Sequence, residues 1–286
     1  MKAYLLSLNK NANIADQWDF GTLGDILKDC NINTESVNKL PHGDKAVVVI
    51  PGRHHAGLEA KVQKELDKLN HPVLFVMGDE EADFAIEKID IPKSRTWIQN
   101  PHLGRHDEYN RLGTGYPQHM HDNLPNKVNK KKDVYFAGQV THQRRIELVE
   151  VLERLKRKGK DVSYKATKGF TQGLEPKEYY KRLSQARIAP APSGAVIPDS
   201  FRLFEALECM AIPVADQRTP SGQVMEYWDW LFAEITPFPK ITDWDVLPGI
   251  LDEYLEDTET KVHKQTAWYL MYKRNLKHKL LEQLNG

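Results

Sequence analysis

Residues 46–50, Ala-Val-Val-Val-Ile, form an unbroken apolar run that is mostly β-branched. Such a run has no polar face to turn toward water, so it fits a strand buried on both faces of a parallel sheet. It ends in PGRHHAG (51–57). An amphipathic helix over 57–70 follows, then a further apolar strand from Pro72 to Met77 that runs into GDEEADF (78–84). Strand, loop, helix and strand at this rhythm make a βαβ unit. In such sheets ligands collect at the loops beyond the carboxyl ends of the strands. Arg53, His54, His55, Asp79, Glu80 and Glu81 therefore fall at the edge where function is expected.

The same alternation extends along the chain. A first strand is predicted over 2–8, a helix within 16–32 and a strand at RTWIQN (95–100). A Gly-rich loop, RLGTGYPQHM (111–120), comes next, and the polar, aperiodic run 121–133 reads as an interdomain linker. A second series opens with the strand Val134–Gly138, then a strongly amphipathic helix within 139–160. A strand (DVSYKA), a helix over 176–187 and a strand over 188–192 follow. The prolines in that last strand suggest an edge position or an early end to pairing. In 199–216, DSFRLFEALECMAIPVAD, Asp199 or Ser200 can cap a helix, Pro213 cannot continue it, and Ile212–Ala215 reads as a short buried strand. Beyond it, Tyr227, Trp228, Trp230 and Phe232 read first as core, with stacking on a sugar or base as the functional option. Helices are predicted over 243–256 and 258–284.

Two features suggest an anion. The helix at 201 points its positive end toward the loop SGAVIPDS. Arg144 and Arg145 stand at the start of another helix, where positive charge opposes the macrodipole. Something other than helix stability should favour them, such as a bound anion, although a solvated basic first turn is the simpler alternative. One glycine, Gly138, before that helix is too little for a dinucleotide fingerprint.

With 286 residues, 40% of them hydrophobic, the chain can form one large or two ordinary domains with real cores. Forty basic and 40 acidic residues cancel, which argues against a global attraction to nucleic acid but leaves local basic patches open. Two cysteines, Cys30 and Cys209, indicate a reducing compartment rather than a disulfide framework. The first residues lack a signal-peptide apolar region, and no window reaches the length of a membrane span. A cytoplasmic, monomeric protein is expected, in a bacterium or a phage-infected host.

Ser-Phe-Arg-Leu-Phe-Glu-Ala-Leu (200–207) followed by Ile-Pro-Val (212–214) resembles the C-terminal domain of exostosin-like glycosyltransferases, and the likeness extends over roughly 133–216. It implies a GT-B architecture: two Rossmann-like α/β domains facing across a cleft, with the final helix crossing back to the first. The corresponding boundaries are 1–125 for an acceptor domain, 126–257 for a nucleotide-sugar domain and 258–286 for the returning helix. The resemblance assigns Glu205 to the ribose of a nucleotide sugar, expected to be a UDP-sugar, and Arg144 or Arg145 to its diphosphate. Gly138, Ser200, Phe201 and Arg202 stand beside them. A solvent-side Glu on an amphipathic helix is the simpler reading of Glu205.

A transferase also needs a base, expected from the first domain: Asp79, Glu80 or His55, with His54 and Glu81 nearby. Each could instead be a loop residue or, for Asp79, a helix cap. Neither a DxD motif in strand context nor a zinc spacing is present, so no metal and no permanently bound cofactor are expected. The acceptor is a glycan, a small molecule or hydroxymethylcytosine in phage DNA. A catalytically inert GT-B-like module that binds nucleotide, glycan or DNA is the alternative.

Overall fold

The computed structural model describes residues 1–9, 18–169 and 172–286, with the side chain of Trp18 left out. The predicted helix within 16–32 begins partly outside those residues. The chain divides into two compact units, one of residues 1–118 and 272–286, the other of residues 119–271.

The first unit contains β1 (Lys2–Leu6), α1 (Gly21–Asp29), β2 (Asn33–Val37), β3 (Gly43–Pro51), the single turn α2 (Gly52–His55), α3 (Glu59–Leu66), β4 (Leu69–Met77), β5 (Thr96–Gln99) and β6 (Asn110–Leu112). A short 3-10 turn, Trp18–Phe20, leads into α1. The strands form one six-stranded parallel sheet in the order β2-β1-β3-β4-β5-β6. Val47–Ile50 and Val73–Met77 are buried, as their lack of a polar face requires. β2, NTESV, is a polar edge strand whose residues are almost all exposed. It carries no periodic apolar signal, and for that reason the sequence alone does not reveal it.

The second unit contains β7 (Lys132–Gln139), α4 (Gln143–Arg157), β8 (Val162–Thr167), α5 (Pro176–Ser184), β9 (Ala186–Ala191), α6 (Phe201–Glu208), β10 (Ile212–Asp216), α7 (Tyr227–Phe232), β11 (Lys240–Ile241) and α8 (Leu247–Glu256). A last helix, α9 (Thr258–Asn285), supplies residues to both units. The five strands form a parallel sheet in the order β11-β10-β9-β7-β8. Val134, Phe136, Ile188, Ile212 and Val214 pack with Leu148, Leu152 and Leu155 of α4 in its core. Tyr227 and Trp228 are fully buried, and Trp228 donates through Nε1 to the Asp216 carbonyl at 2.8 Å. Those two rings are core.

Both sheets reverse direction beside their first strand: β1 lies between β2 and β3, and β7 between β8 and β9. That is the topological switch point at which a doubly wound sheet opens a crevice. The prolines of β9 mark it from the inside. β9 is an internal strand, not an edge one. It pairs with β7 at Lys132↔Ala186 and Val134↔Ile188, and with β10 as far as Ala191. The next step of that alternation would set Phe136 opposite Pro190, which has no N–H to give. Pairing between β7 and β9 stops there, while β7 continues to Gln139 along β8.

Candidate active site

At the switch point of the second unit, Arg145 spans the opening. Its Nε and Nη2 donate to the Ser193 carbonyl at 3.2 and 3.0 Å, and its Nη1 to the Gln139 carbonyl at 3.0 Å. The guanidinium thus ties the ends of β7 and β9 through two backbone carbonyls. Arg144, its neighbour on α4, behaves differently. It is 3% exposed and grips Asp216, at the end of β10, through two bonds of 3.0 and 2.8 Å, with Glu147 on a third donor. The anion that favours Arg144 at a helix start is an internal one. Burial pushes the Asp216 carboxyl up and Arg144 opposes that shift.

The loop after β9 is held tightly. Gly194 N–H donates to the Ile197 carbonyl at 3.0 Å, and a Cβ at Gly194 would sit 2.2 Å from the Asp199 carbonyl oxygen. Neither expected cap forms at α6. Ser200 donates through Oγ to the Pro192 carbonyl at 3.0 Å, Asp199 accepts from the Tyr227 hydroxyl at 3.0 Å, and no side chain caps the helix. The short oxygens are drawn into the loop, which leaves the first-turn amides at Phe201 without a side-chain acceptor. α4 likewise starts at His142 with no side-chain cap.

Glu205 is 2% exposed. Its Oε2 accepts from the Tyr179 hydroxyl at 2.8 Å and from Arg202 Nη1, and its Oε1 from the Tyr180 hydroxyl at 3.2 Å. A carboxylate offers about four lone-pair sites, and three are taken by the protein. Glu205 is therefore neither a solvent-side residue nor an open pair of acceptors for a ribose. It is the buried counter-charge that fixes Arg202. Burial pushes the Arg202 guanidinium down, but Glu205 together with Tyr179 and Tyr180 more than offsets it and holds the group protonated. Arg202 Nη1 also donates to the Tyr179 hydroxyl at 3.0 Å. The Arg202 guanidinium lies against the end of β7, with its Nε 3.5 Å from where a Cβ on Gly138 would stand, an ordinary van der Waals distance. Among the described residues, buried polar atoms at this edge without a hydrogen-bond partner include Nε of Arg202, Nε of Arg218 just past β10, Ser193 Oγ and both ring nitrogens of His142. Buried orphan donors call for an acceptor. Arg218 lies outside every motif recognised in the sequence. Only its place, two residues beyond an apolar strand, could have signalled it.

At the switch point of the first unit, His55 is fully buried. Its Nδ1 lies 3.0 Å from the Pro51 carbonyl, and Leu8 N–H donates to its Nε2 at 3.0 Å. The ring is therefore the Nδ1–H tautomer, and burial lowers its pKa. It bridges the ends of β1 and β3, and both nitrogens are occupied. Asp79 is equally committed: its carboxylate accepts from Asp83 N–H and Phe84 N–H, both at 3.0 Å, and shapes a turn rather than capping a helix. Glu81 pairs with Arg53. Glu80 is partly exposed, and its carbonyl lies 2.7 Å from His102 Nε2. Gln99 organises the same edge. It accepts from Gly78 N–H at 3.0 Å and donates to the Asp19 and Thr114 carbonyls at 2.8 and 2.9 Å. Gly115, at φ 74°, packs where a Cβ would meet Thr22 Oγ1, so the Gly-Tyr-Pro segment seats on the start of α1. Among the described residues, no three His, Cys, Asp or Glu side chains converge as metal ligands, and no helix is long and apolar enough to cross a membrane.

Two parallel α/β sheets, with cations gathered at the switch point of the second, define a Rossmann-like protein suited to an anionic ligand. The RXYLT1 C-terminal domain matches residues 114–286, which is more than half the chain. The chain belongs to that family, which is glycosyltransferase-like and of the exostosin type. No curated protein matches it.

Proposed function

We propose that the chain transfers a sugar from a nucleotide sugar, a UDP-sugar, to a hydroxyl acceptor. The observation that carries this reading is the pair of orphaned guanidinium donors, Arg202 and Arg218, at the carboxyl edge of the second sheet. With Arg145 across the switch point they offer preorganised N–H donors, Arg202 through the Nε that its pairing with Glu205 leaves unused, to a diphosphate that leaves as an anion when the sugar moves. Preorganised donors aimed at a developing charge are worth about 3–4 kcal/mol each in enzymes that use them. Arg144 and Glu205 act one step back, as buried ion-pair members that hold the edge in shape. The uncapped starts of α4 and α6 add backbone amides.

The acceptor edge of the first unit favours a neutral polyol such as a glycan over DNA. Arg53, on the turn that follows β3, is already paired with Glu81 and so is not open to a phosphate.

Thermal unfolding with UDP, ADP, GDP and a panel of UDP-sugars tests the reading. A ligand at about 100 times its Kd should add roughly 2.7 kcal/mol of stability. Arg218→Gln should melt like the wild type alone yet lose that gain. If no nucleoside diphosphate stabilises the wild type, the proposal fails. Stabilisation by UDP with no turnover of any UDP-sugar would leave an inert binding module.

A further inference from the structure

Beyond its guanidiniums, the second switch point holds two neutral polar side chains without partners. His142 stands at the start of α4, on the connection that leaves β7, and Ser193 lies just past the end of β9. They border the gap between β7 and β9 from its two sides, and both belong to the second unit. Ser193 is fully buried. Its carbonyl accepts from Arg145 Nε and Nη2, and its main chain hydrogen-bonds the Asp216 carboxylate, yet its Oγ has no hydrogen-bond partner among the described residues. The His142 ring comes up against the same main chain. That carbonyl is already filled by Arg145, and both ring nitrogens are buried without a partner among the described residues. An imidazole carries a donor and an acceptor or, protonated, two donors, and buried polar atoms left unpaired are unfavourable. An imidazole and a hydroxyl on the two sides of one gap, beside the uncapped first turn of a 15-residue helix, suit a ligand rich in acceptor oxygens.

The charges around the ring decide how it meets that ligand. Arg145 and Arg144, on its own helix, act on it directly. From the end of β10, Asp216 is engaged by Arg144, and it also accepts from Arg218 N–H at 3.1 Å, which places a further arginine beside it. Burial first, then Arg145 and Arg144, lower the ring's pKa from 6.5 to about 4, so it is neutral in the free protein. A diphosphate opposes these effects. It offsets the repulsion from the arginines and accepts from the ring N–H, and both favour the imidazolium.

We propose that His142 and Ser193 are direct donors to a phosphate of the bound nucleotide sugar, and that the His142 ring takes up a proton as the diphosphate arrives. The inference rests on the transferase reading above for its choice of ligand. A group that holds its proton more tightly in the complex makes the ligand bind more tightly as pH falls through the pKa of the complex, down to that of the free protein. With the ring returned to its ordinary value of about 6.5 in the complex, affinity should be flat at alkaline pH and rise below neutrality.

Calorimetric titration with UDP-glucose and UDP-xylose tests this. Their diphosphates are esterified at both ends and do not titrate in the range used. Runs at pH 5.5 and pH 8, in buffers of different ionisation enthalpy, read affinity and proton uptake together. The wild type should bind about 10-fold more tightly at pH 5.5 than at pH 8 and take up close to one proton at pH 5.5. His142→Gln keeps a donor but does not titrate, and it should bind with neither effect. His142→Phe should bind about 10-fold more weakly at pH 5.5 and melt no lower than the wild type at neutral pH, because no hydrogen bond within the protein is lost. Ser193→Ala should weaken binding about 5-fold and keep the proton uptake. Binding that is independent of pH and takes up no proton, or uptake that persists in His142→Gln, overturns the proposal and leaves the transferase reading standing. A wild type that binds neither nucleotide sugar overturns both. Proton-coupled binding with no turnover of either sugar upholds the proposal and sinks the transferase reading alone.

Discussion

The two switch points share a strand order but are closed by opposite chemistry. In the first unit a neutral histidine, His55, joins β1 to β3 through Leu8 N–H and the Pro51 carbonyl. In the second, a guanidinium, Arg145, joins β7 to β9, with Arg144, Arg202 and Arg218 around it. One bridge carries no charge and the other a permanent one. On the function proposed above, the side chain laid across each switch point selects what it receives: hydroxyl groups in one, a polyanion in the other.

The largest test of that contrast is Arg144→Ala. It leaves the Asp216 carboxylate buried with its main counter-charge gone, and breaking such a pair costs about 3–5 kcal/mol. The first switch point has no equivalent, so the denaturant midpoint should fall far more than for any single change there. Replacing Arg144 and Asp216 together by apolar residues should recover much of the loss; no recovery would mean the pair matters through more than its charge.

A second test uses pH. His106 in the first unit and His142 in the second are both lowered from 6.5 to about 4, chiefly by burial, helped by Arg105 and Arg145 respectively. A histidine with a depressed folded pKa binds its proton in the unfolded state first. Stability is therefore complete above pH 6.5 and is lost as pH falls toward 4. At about 1.4 kcal/mol per pH unit, each contributes at most about 3 kcal/mol. His106→Asn and His142→Asn should each flatten the stability curve between pH 4 and 6.5. An unchanged slope would show that the burial is relieved in solution.

The smallest effect is expected for His55→Leu. It removes the acceptor of Leu8 N–H, which is only partly buried and can be rehydrated, and the donor to the buried Pro51 carbonyl, so about 2 kcal/mol should be lost. A loss as large as that of Arg144→Ala would erase the distinction between a neutral and a charged bridge.

The sequence makes the scaffold legible where strands are apolar on both faces. Ala46–Ile50, Pro72–Met77 and Val134–Gly138 all lie within strands, as their composition demands. It is silent on β2, whose polar residues face water, and on the very short β6 and β11. The site is half legible. Asp79, His55, Arg144, Arg145 and Glu205 all fall at or beside the switch-point edges, because loops after buried strands go there. Their partners do not show in one dimension. Tyr179 and Tyr180 reach Glu205 from α5, some 25 residues away in sequence. Asp216 meets Arg144 across 72 positions. Spacing cannot reveal that such residues spend their hydrogen bonds on each other.

Pro190 has a kinetic consequence. Because it has no amide to offer β7, the gap between β7 and β9 is a property of the empty protein and need not be pried open by an arriving ligand. Nucleotide association should then be a single-step process, first order in ligand and accelerated at low ionic strength by the surrounding arginines, without a slow phase that saturates as concentration rises.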